Sequence, residues 1–261
     1  MKWLLFAIIM AGLIIWWRTA HIEQNNRSTA KPNPKPKTHT TPKLMSQCPF
    51  CGLRFPSDEG VGNYCSIAHK KAIDSKGWWG EAEWVPSPNY DERPSHMPVE
   101  LVLVHHISLP PGQFTGNYIA DFFQNKLNPK EHPYFESIAD RQVSSHFLIR
   151  RNGQVQQFVS TNHRAWHAGV SDFFGRERCN DFSIGIELEG TDDLPFQPAQ
   201  YTSLRELVFA LKKVYPVAAF AGHSDVAPGR KTDPGIHFDW QLFAKLAEIS
   251  EKEMPYGTQK R

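Results

Sequence analysis

The segment Ala221-Gly-His-Ser-Asp-Val-Ala-Pro-Gly-Arg-Lys-Thr-Asp-Pro-Gly235 constrains this chain most strongly. It sets an imidazole (His223), an ammonium (Lys231) and a carboxylate (Asp233) within one loop punctuated by glycine and proline, the kind of segment in which catalytic groups concentrate. Lys231 and Asp233 are two residues apart, so in an extended segment they project to the same side. A carboxylate able to ligate a metal, beside a lysine able to stabilise an oxyanion, is the equipment of a metal-dependent hydrolase.

Regular elements predicted around this loop give it a scaffold. Leu101-Val-Leu-Val104 is a short apolar run ending at His105, the pattern of a buried strand that delivers a polar group at its end. Ser183-Ile-Gly-Ile-Glu-Leu-Glu189 alternates, which puts Ile184, Ile186 and Leu188 on one face and Glu187 on the other with Ser183 and Gly185. Leu204, Leu207, Val208 and Leu211 recur at helical spacing over Ser203–Tyr215, and Pro216 ends the helix. Strands interleaved with helices predict an α/β domain with a mixed central β-sheet flanked by helices. Taken singly, each polar residue also has a structural reading. His105 could be a hydrogen-bonded core histidine, Glu187 a solvated residue on an edge strand and Lys231 a surface lysine. His146 reads as structural and Arg176 as a surface charge.

The amino terminus adds a different class of segment. Trp3 to Trp17 is an unbroken apolar run between Lys2 and Arg18. At about 1.5 Å per residue it covers roughly 22 Å, so spanning a core of ~30 Å requires its Trp, Lys and Arg flanks to sit in the interface. A secretory signal would suit the same run, but Arg18 falls where a small residue is needed for cleavage before His21. The expectation is an uncleaved single-pass inner-membrane anchor over residues 1–20, followed by a linker over 21–43 rich in Lys, Pro, Thr and Asn. Arg18, Arg27, Lys31, Lys35, Lys37 and Lys43 outweigh Lys2, which places the body of the protein in the cytoplasm by the positive-inside rule; the alternative is periplasmic. With 29 basic and 27 acidic side chains, charge gives no argument for nucleic acid.

Cys48-Pro-Phe-Cys51 is followed, after thirteen residues, by Cys65 and His69. Two ligands from a tight knuckle and two from the start of a helix can close a tetrahedron around zinc, so residues 44–72 are predicted to form a small zinc-ribbon-like module with a structural zinc at Cys48, Cys51, Cys65 and His69. A disulfide pair plus one free thiol is the competing reading, and it needs an oxidising compartment. A module this small needs its metal to fold.

From about Asp74 to about Ala247 the chain resembles the AmpD-type anhydro-N-acetylmuramoyl-L-alanine amidases. The resemblance is carried by Gly77-Trp-Trp79 with Val85-Pro-Ser-Pro-Asn-Tyr90, by Val104-His-His-Ile-Ser-Leu-Pro-Pro-Gly112, and by Val143-Ser-Ser-His-Phe-Leu-Ile-Arg-Arg-Asn-Gly153. It continues through Ala165-Trp-His-Ala-Gly169, the stretch Gly175–Gly190 and the loop quoted above. It implies an amidase domain over residues 73–255, a catalytic Zn2+ held by His105, His223 and Asp233, a catalytic Glu187 that takes a proton from the attacking water, and a catalytic Lys231 that stabilises the oxyanion. It further implies substrate contacts from Trp166, Arg178 and His106. Trp166-His-Ala-Gly169 reads equally well as a core tryptophan with a capping histidine. Two positions depart from the family, His106 where asparagine is common and Gln142 where arginine is common, although Arg141 is adjacent.

The activity so implied is zinc-dependent hydrolysis of the bond between an N-acetylmuramoyl group, 1,6-anhydro in form, and the L-alanine of a muropeptide during peptidoglycan recycling. The rivals are a periplasmic amidase acting on polymeric peptidoglycan, a non-catalytic peptidoglycan-binding module, and a thiol hydrolase using Cys179. The implied partners are the anhydro-muropeptide and the inner membrane.

Overall fold

The computed structural model describes residues 10–19 and 43–259. Leu44–Arg261 clusters as one compact unit, distinct from Met1–Lys43. Residues 10–19 are helical. Ten helical residues rise only about 15 Å, and among the described residues no helix is long and apolar enough to cross a membrane. The transmembrane helix expected at 1–20 is therefore not found in what is described. Residues 1–9 and 20 of that segment, and all of the linker expected over 21–43 except residue 43, lie outside the described residues.

The compact unit begins with the short pair β1 (Met45–Gln47) and β2 (Arg54–Pro56), then α1 (Ile67–Lys70). β3 (Glu83–Trp84), β4 (Tyr90–Glu92) and β5 (Leu101–Ile107) follow, then α2 (Tyr118–Phe123), α3 (Pro133–Glu136), β6 (Phe147–Ile149), β7 (Val155–Gln157) and β8 (His163–Ala165). The hairpin β9 (Asp172–Phe173) and β10 (Arg176–Glu177) precedes β11 (Ser183–Glu189), α4 (Pro198–Val214), β12 (Ala219–Gly222), α5 (His223–Val226) and α6 (Trp240–Leu246). Six strands form the central sheet in the order β12-β5-β11-β6-β7-β3. It is mixed as expected: β12, β5, β11 and β6 run parallel, while β7 is antiparallel to β6 and parallel to β3.

The predicted strand at Leu101 continues through His105 to Ile107, so His105 is delivered from within the strand rather than after it. The alternation read in Ser183–Glu189 holds. Ile184, Ile186 and Leu188 join Val102, Val104 and Phe220 in a core against Leu204, Leu207, Val208 and Leu211 of α4. Burial of those helical positions is the reason the apolar stripe exists. The helix starts five residues before its predicted start: Pro198 occupies the first turn, and the Gln197 backbone N–H donates to Gln200 Oε1 at 2.9 Å. The opposite sheet face carries Leu101, Leu103, Ala219 and Ala221 against Ala168, Cys179 and Phe182. This second face leads into the site.

The Cys-rich segment packs directly on the larger core. Ile73 and Trp79 belong to the α4 cluster, and Trp79 Nε1–H donates to the Lys71 carbonyl at 3.1 Å. Gly80 is needed at this junction, because a Cβ there would collide with the Lys70 carbonyl.

Candidate active site

Parallel pairing builds the site. In the β5/β11 register Glu187 stands opposite His105, and side chains paired across neighbouring strands share a face. β12 lies on the other side of β5 and ends at Gly222, so His223 emerges beside His105 as the chain turns into α5. Ligand sites in sheets of this kind gather at the carboxyl ends of parallel strands. The loop after α5 returns Lys231 and Asp233 to the same place, and all five groups line one cavity of about 680 Å³. Glu187 is thus on an interior strand and buried, not solvated on an edge.

Three donor atoms converge. His105 Nδ1 lies 3.0 Å from His223 Nδ1 and 2.9 Å from Asp233 Oδ2, and His223 Nδ1 lies 3.0 Å from the same carboxylate oxygen. Burial first, then the neighbouring His223, lowers His105 to about 4, against the pull of Asp233. The imidazole is therefore neutral near pH 7, as a metal ligand must be. Burial alone would raise Asp233, but hydrogen bonding to His105 and His223 outweighs it and holds the carboxyl below its ordinary range. Two imidazoles and an ionised carboxylate with donor atoms facing one point suit zinc in donor type and in number.

Glu187 is set apart from this triad. Its carboxyl is raised well above the usual range by burial and then by the charge of Asp233, with Lys231 opposing. Among the described residues its buried Oε2 has no hydrogen-bond partner. A buried oxygen without a partner costs stability, and in a native structure it calls for a functional reason. The natural partner is a molecule that enters the cavity.

The residues expected to contact substrate divide. Trp166 and His106 line the cavity, and so does Arg141. His106 Nε2 sits 3.0 Å from Asp192 Oδ1, while Thr232 Oγ1–H donates to Asp192 Oδ2 at 2.9 Å, so Asp192 ties β5 to the loop between Lys231 and Asp233. Arg178 is not among the lining residues; its Nε lies 3.2 Å from Asp181 Oδ2 and its side chain is largely exposed. Arg176, read as a plain surface charge, pairs with Glu100 at 2.6 Å and stacks over the Phe182 ring at 3.7 Å. His146 is structural as expected, accepting the Gly185 N–H at 3.0 Å. Cys179 is fully buried, and burial raises its thiol, which removes the thiolate a cysteine hydrolase needs.

Sequence reasoning passed over Asn180 and Asp192 and read His167 only as a capping histidine. His167 Nδ1 is 3.0 Å from His105 Nε2, and Asn180 Oδ1 accepts the backbone N–H groups of His167 at 3.2 Å and Ala168 at 2.8 Å. Only the Trp-His-Ala-Gly run itself hinted at His167.

A second donor cluster lies in the Cys-rich segment. Cys51 Sγ is 3.7 Å from Cys65 Sγ, Cys65 Sγ is 3.1 Å from His69 Nδ1, and Cys48 Sγ is 3.9 Å from the same nitrogen. Zn–S bonds of about 2.3 Å in a tetrahedron put sulfurs about 3.8 Å apart, and the Cys51–Cys65 separation of 3.7 Å suits that arrangement. All four cysteines are free, with no disulfide among them. Gly52 at φ +74° closes the knuckle, with its N–H on the Cys48 carbonyl at 2.8 Å. Ser66 Oγ caps α1 by accepting the His69 N–H at 3.2 Å. Burial raises the Cys48 thiol, but backbone N–H groups of Cys65, Cys51 and Phe50 outweigh it and lower the thiol to about 6.

Comparison with known proteins agrees with this geometry. Residues 95–236, over half of the chain, match the N-acetylmuramoyl-L-alanine amidase family, and the chain belongs to it. Among its relatives is the 1,6-anhydro-N-acetylmuramyl-L-alanine amidase AmpD of Haemophilus influenzae, 52% identical over 171 residues that span 64% of this chain and 93% of that protein. AmpD of Escherichia coli is 53% identical over 173 residues, 66% of this chain and 94% of that protein. A crystal structure of a selenomethionine derivative of AmpD superposes with a TM-score of 0.65 at 53% identity, covering 66% of this chain and 97% of the other.

The buried carboxyl of Glu187 generates a stability prediction for the metal-free protein. Its folded pKa is raised, so the native state holds a proton that the unfolded state releases above its ordinary pKa of 4.5, and stability falls as pH rises through that window. Glu187→Gln should therefore melt higher than wild type at pH 7, with the difference shrinking towards zero at pH 4. Thermal unfolding at both pH values checks this, and an unchanged difference refutes it.

Proposed function

We propose that this chain hydrolyses the amide bond between the lactyl carbonyl of a 1,6-anhydro-N-acetylmuramoyl group and the L-alanine nitrogen of its peptide, in peptidoglycan recycling. The observation that carries the reading is one cavity lined by His105, His223 and Asp233 together with Glu187, whose buried Oε2 has no partner among the described residues. The relatives named 1,6-anhydro-N-acetylmuramyl-L-alanine amidase support it at 52–53% identity over 93–94% of their own lengths.

In this reading His105, His223 and Asp233 would hold Zn2+, which at a net site charge of +1 would supply Lewis acidity to the attacking water and the amide carbonyl. Glu187, raised by burial and free at Oε2, accepts the proton of the attacking water. The same carboxyl then returns that proton to the leaving L-alanine nitrogen, which otherwise departs as an amide anion. Lys231 lines the cavity and gives its ammonium to the oxyanion of the tetrahedral intermediate. Trp166 supplies a flat apolar surface for the sugar. His106 and Arg141 face the same space, whereas Arg178 reaches the peptide only by leaving Asp181.

We assign residues 73–255 to the amidase domain and residues 44–72 to a module holding a structural zinc at Cys48, Cys51, Cys65 and His69. Support comes from the match of their spacing to a tetrahedral Cys3His set. Placement of the protein at the inner membrane, with the amidase domain in the cytoplasm, rests on the apolar run Trp3–Trp17 and its flanking charges alone.

Four outcomes are expected. Purified protein offered anhydro-muropeptides and intact sacculi should cleave the former, lose activity to a chelator and regain it with zinc. Glu187→Gln should keep its metal while turnover falls by about 10²–10⁴-fold; preference for sacculi favours the wall-hydrolase alternative, and full activity without metal refutes the mechanism. The full chain should bind two cobalt(II) ions, one of them giving a thiolate-to-metal charge-transfer band that Cys48→Ser removes and Asp233→Ala leaves in place. A single ion and no such band refute the structural site. Finally, a carboxy-terminal reporter active only in the cytoplasm should work and the chain should sediment with membranes; a soluble full-length chain refutes the anchor.

A further inference from the structure

We propose that His167 sets the tautomer of His105, through a hydrogen-bond chain whose direction is fixed at a main-chain carbonyl, so that the Nδ1 lone pair of His105 is permanently presented to the metal. The proposal rests on the reading of His105 as a metal ligand and adds a positioning residue that is not itself a ligand.

The chain is read from its far end. The carbonyl oxygen of Cys179 can only accept, and Ser183 Oγ lies 2.6 Å from it, so the Ser183 hydroxyl donates there. With its one proton committed, Ser183 Oγ is an acceptor towards His167 Nε2 at 3.3 Å, which puts the single proton of a neutral His167 on Nε2. His167 Nδ1 then carries a lone pair and accepts, at 3.0 Å, the proton on His105 Nε2. A neutral imidazole holding its proton on Nε2 has a bare Nδ1. That Nδ1 is the atom standing 3.0 Å from His223 Nδ1 and 2.9 Å from Asp233 Oδ2. Every link has one direction, set by an oxygen with no proton to give.

The neighbouring residue does the same for the other imidazole. His223 Nε2–H donates to the Ala168 carbonyl at 3.0 Å, again leaving Nδ1 bare. Two consecutive residues therefore hold both metal histidines, one by its side chain and one by its main chain. Asn180 Oδ1 pins both by accepting the His167 and Ala168 N–H groups. Space for the His167 ring is made by Gly185, where a Cβ would lie 2.5 Å from His167 Cγ. Outer partners of this kind orient a ligand and raise its basicity, and their loss costs metal affinity.

The test is zinc affinity of the full chain by chelator competition, with Asp233→Ala measuring zinc held elsewhere. His167→Phe keeps a ring but has no acceptor and should weaken the Asp233-dependent zinc by about 10–100-fold, while His167→Asn, which offers an amide oxygen near the Nδ1 position, should stay within about threefold of wild type. Ser183→Ala should give a smaller loss, and 15N spectra of zinc-loaded wild type should show His105 and His223 each protonated at Nε2. A folded His167→Phe with wild-type affinity, or a His105 bound through Nε2, overturns the proposal. Should His167→Phe fail to melt cooperatively, the Ser183→Ala affinity and the 15N spectra decide by the same criteria. A wild-type chain holding no more zinc than Asp233→Ala overturns the metal reading itself, an outcome distinct from loss of the relay alone.

Discussion

Everything at the site depends on the parallel pairing of β5 with β12 on one side and β11 on the other. A buried parallel strand has no solvent face, so a polar side chain within it must find its partner inside the protein. The register leaves His105 and Glu187 side by side on the face away from the α4 core, with His223 at the end of the third strand. A one-residue slip of β11 would turn Glu187 towards the α4 core and turn Ile184, Ile186 and Leu188 towards the site. Hydrophobic burial on one face thus fixes chemistry on the other.

The second consequence is electrostatic. His105, His167 and His146 are all lowered by burial, and Glu187 is raised by it. Low polarity therefore produces a set of groups that are neutral imidazoles and a reluctant carboxylate at the same pH. The first suits metal ligation and the second suits proton transfer, and a single cause yields both. The unsatisfied Oε2 of Glu187 is the cost side of that arrangement.

Much of this was legible in the residues because it is local or periodic. The alternation in Ser183–Glu189 assigned Glu187 to the correct face, and the Gly/Pro-rich loop announced Lys231 and Asp233 as a pair. What stayed hidden depends on distance along the chain. His167 meets His105 across 62 positions, and a histidine in a Trp-His-Ala-Gly run carries no local sign of that partner. The early start of α4 was missed because Pro198 and Gln200 break the apolar stripe; Gln200 is buried by hydrogen bonds from its amide to the Ile149 and Glu189 carbonyls rather than by apolar contact. Arg178 illustrates the converse, since motif position suggested a substrate contact while the side chain lies against Asp181.

The Cys-rich segment extends the same reasoning to stability. Its strands are three residues each, its helix is four, and only Cys48 and Phe55 among its apolar side chains are buried within it. So little apolar burial cannot offset the backbone entropy of ordering some thirty residues, at about 1–2 kcal/mol each. Two sources remain. One is the docking of Ile73 and Trp79 into the α4 core, which holds the carboxyl end of the segment in place. The other is the Cys3His donor set, because an ion bound only by the folded form contributes its binding free energy to folding. The surface pairs Lys70–Glu81 and Lys71–Glu206 add little, being part-exposed and screened. Order in this segment is therefore tied at one end to the Cys3His donor set and at the other to the amidase core, and His69 sits on the helix that joins the two.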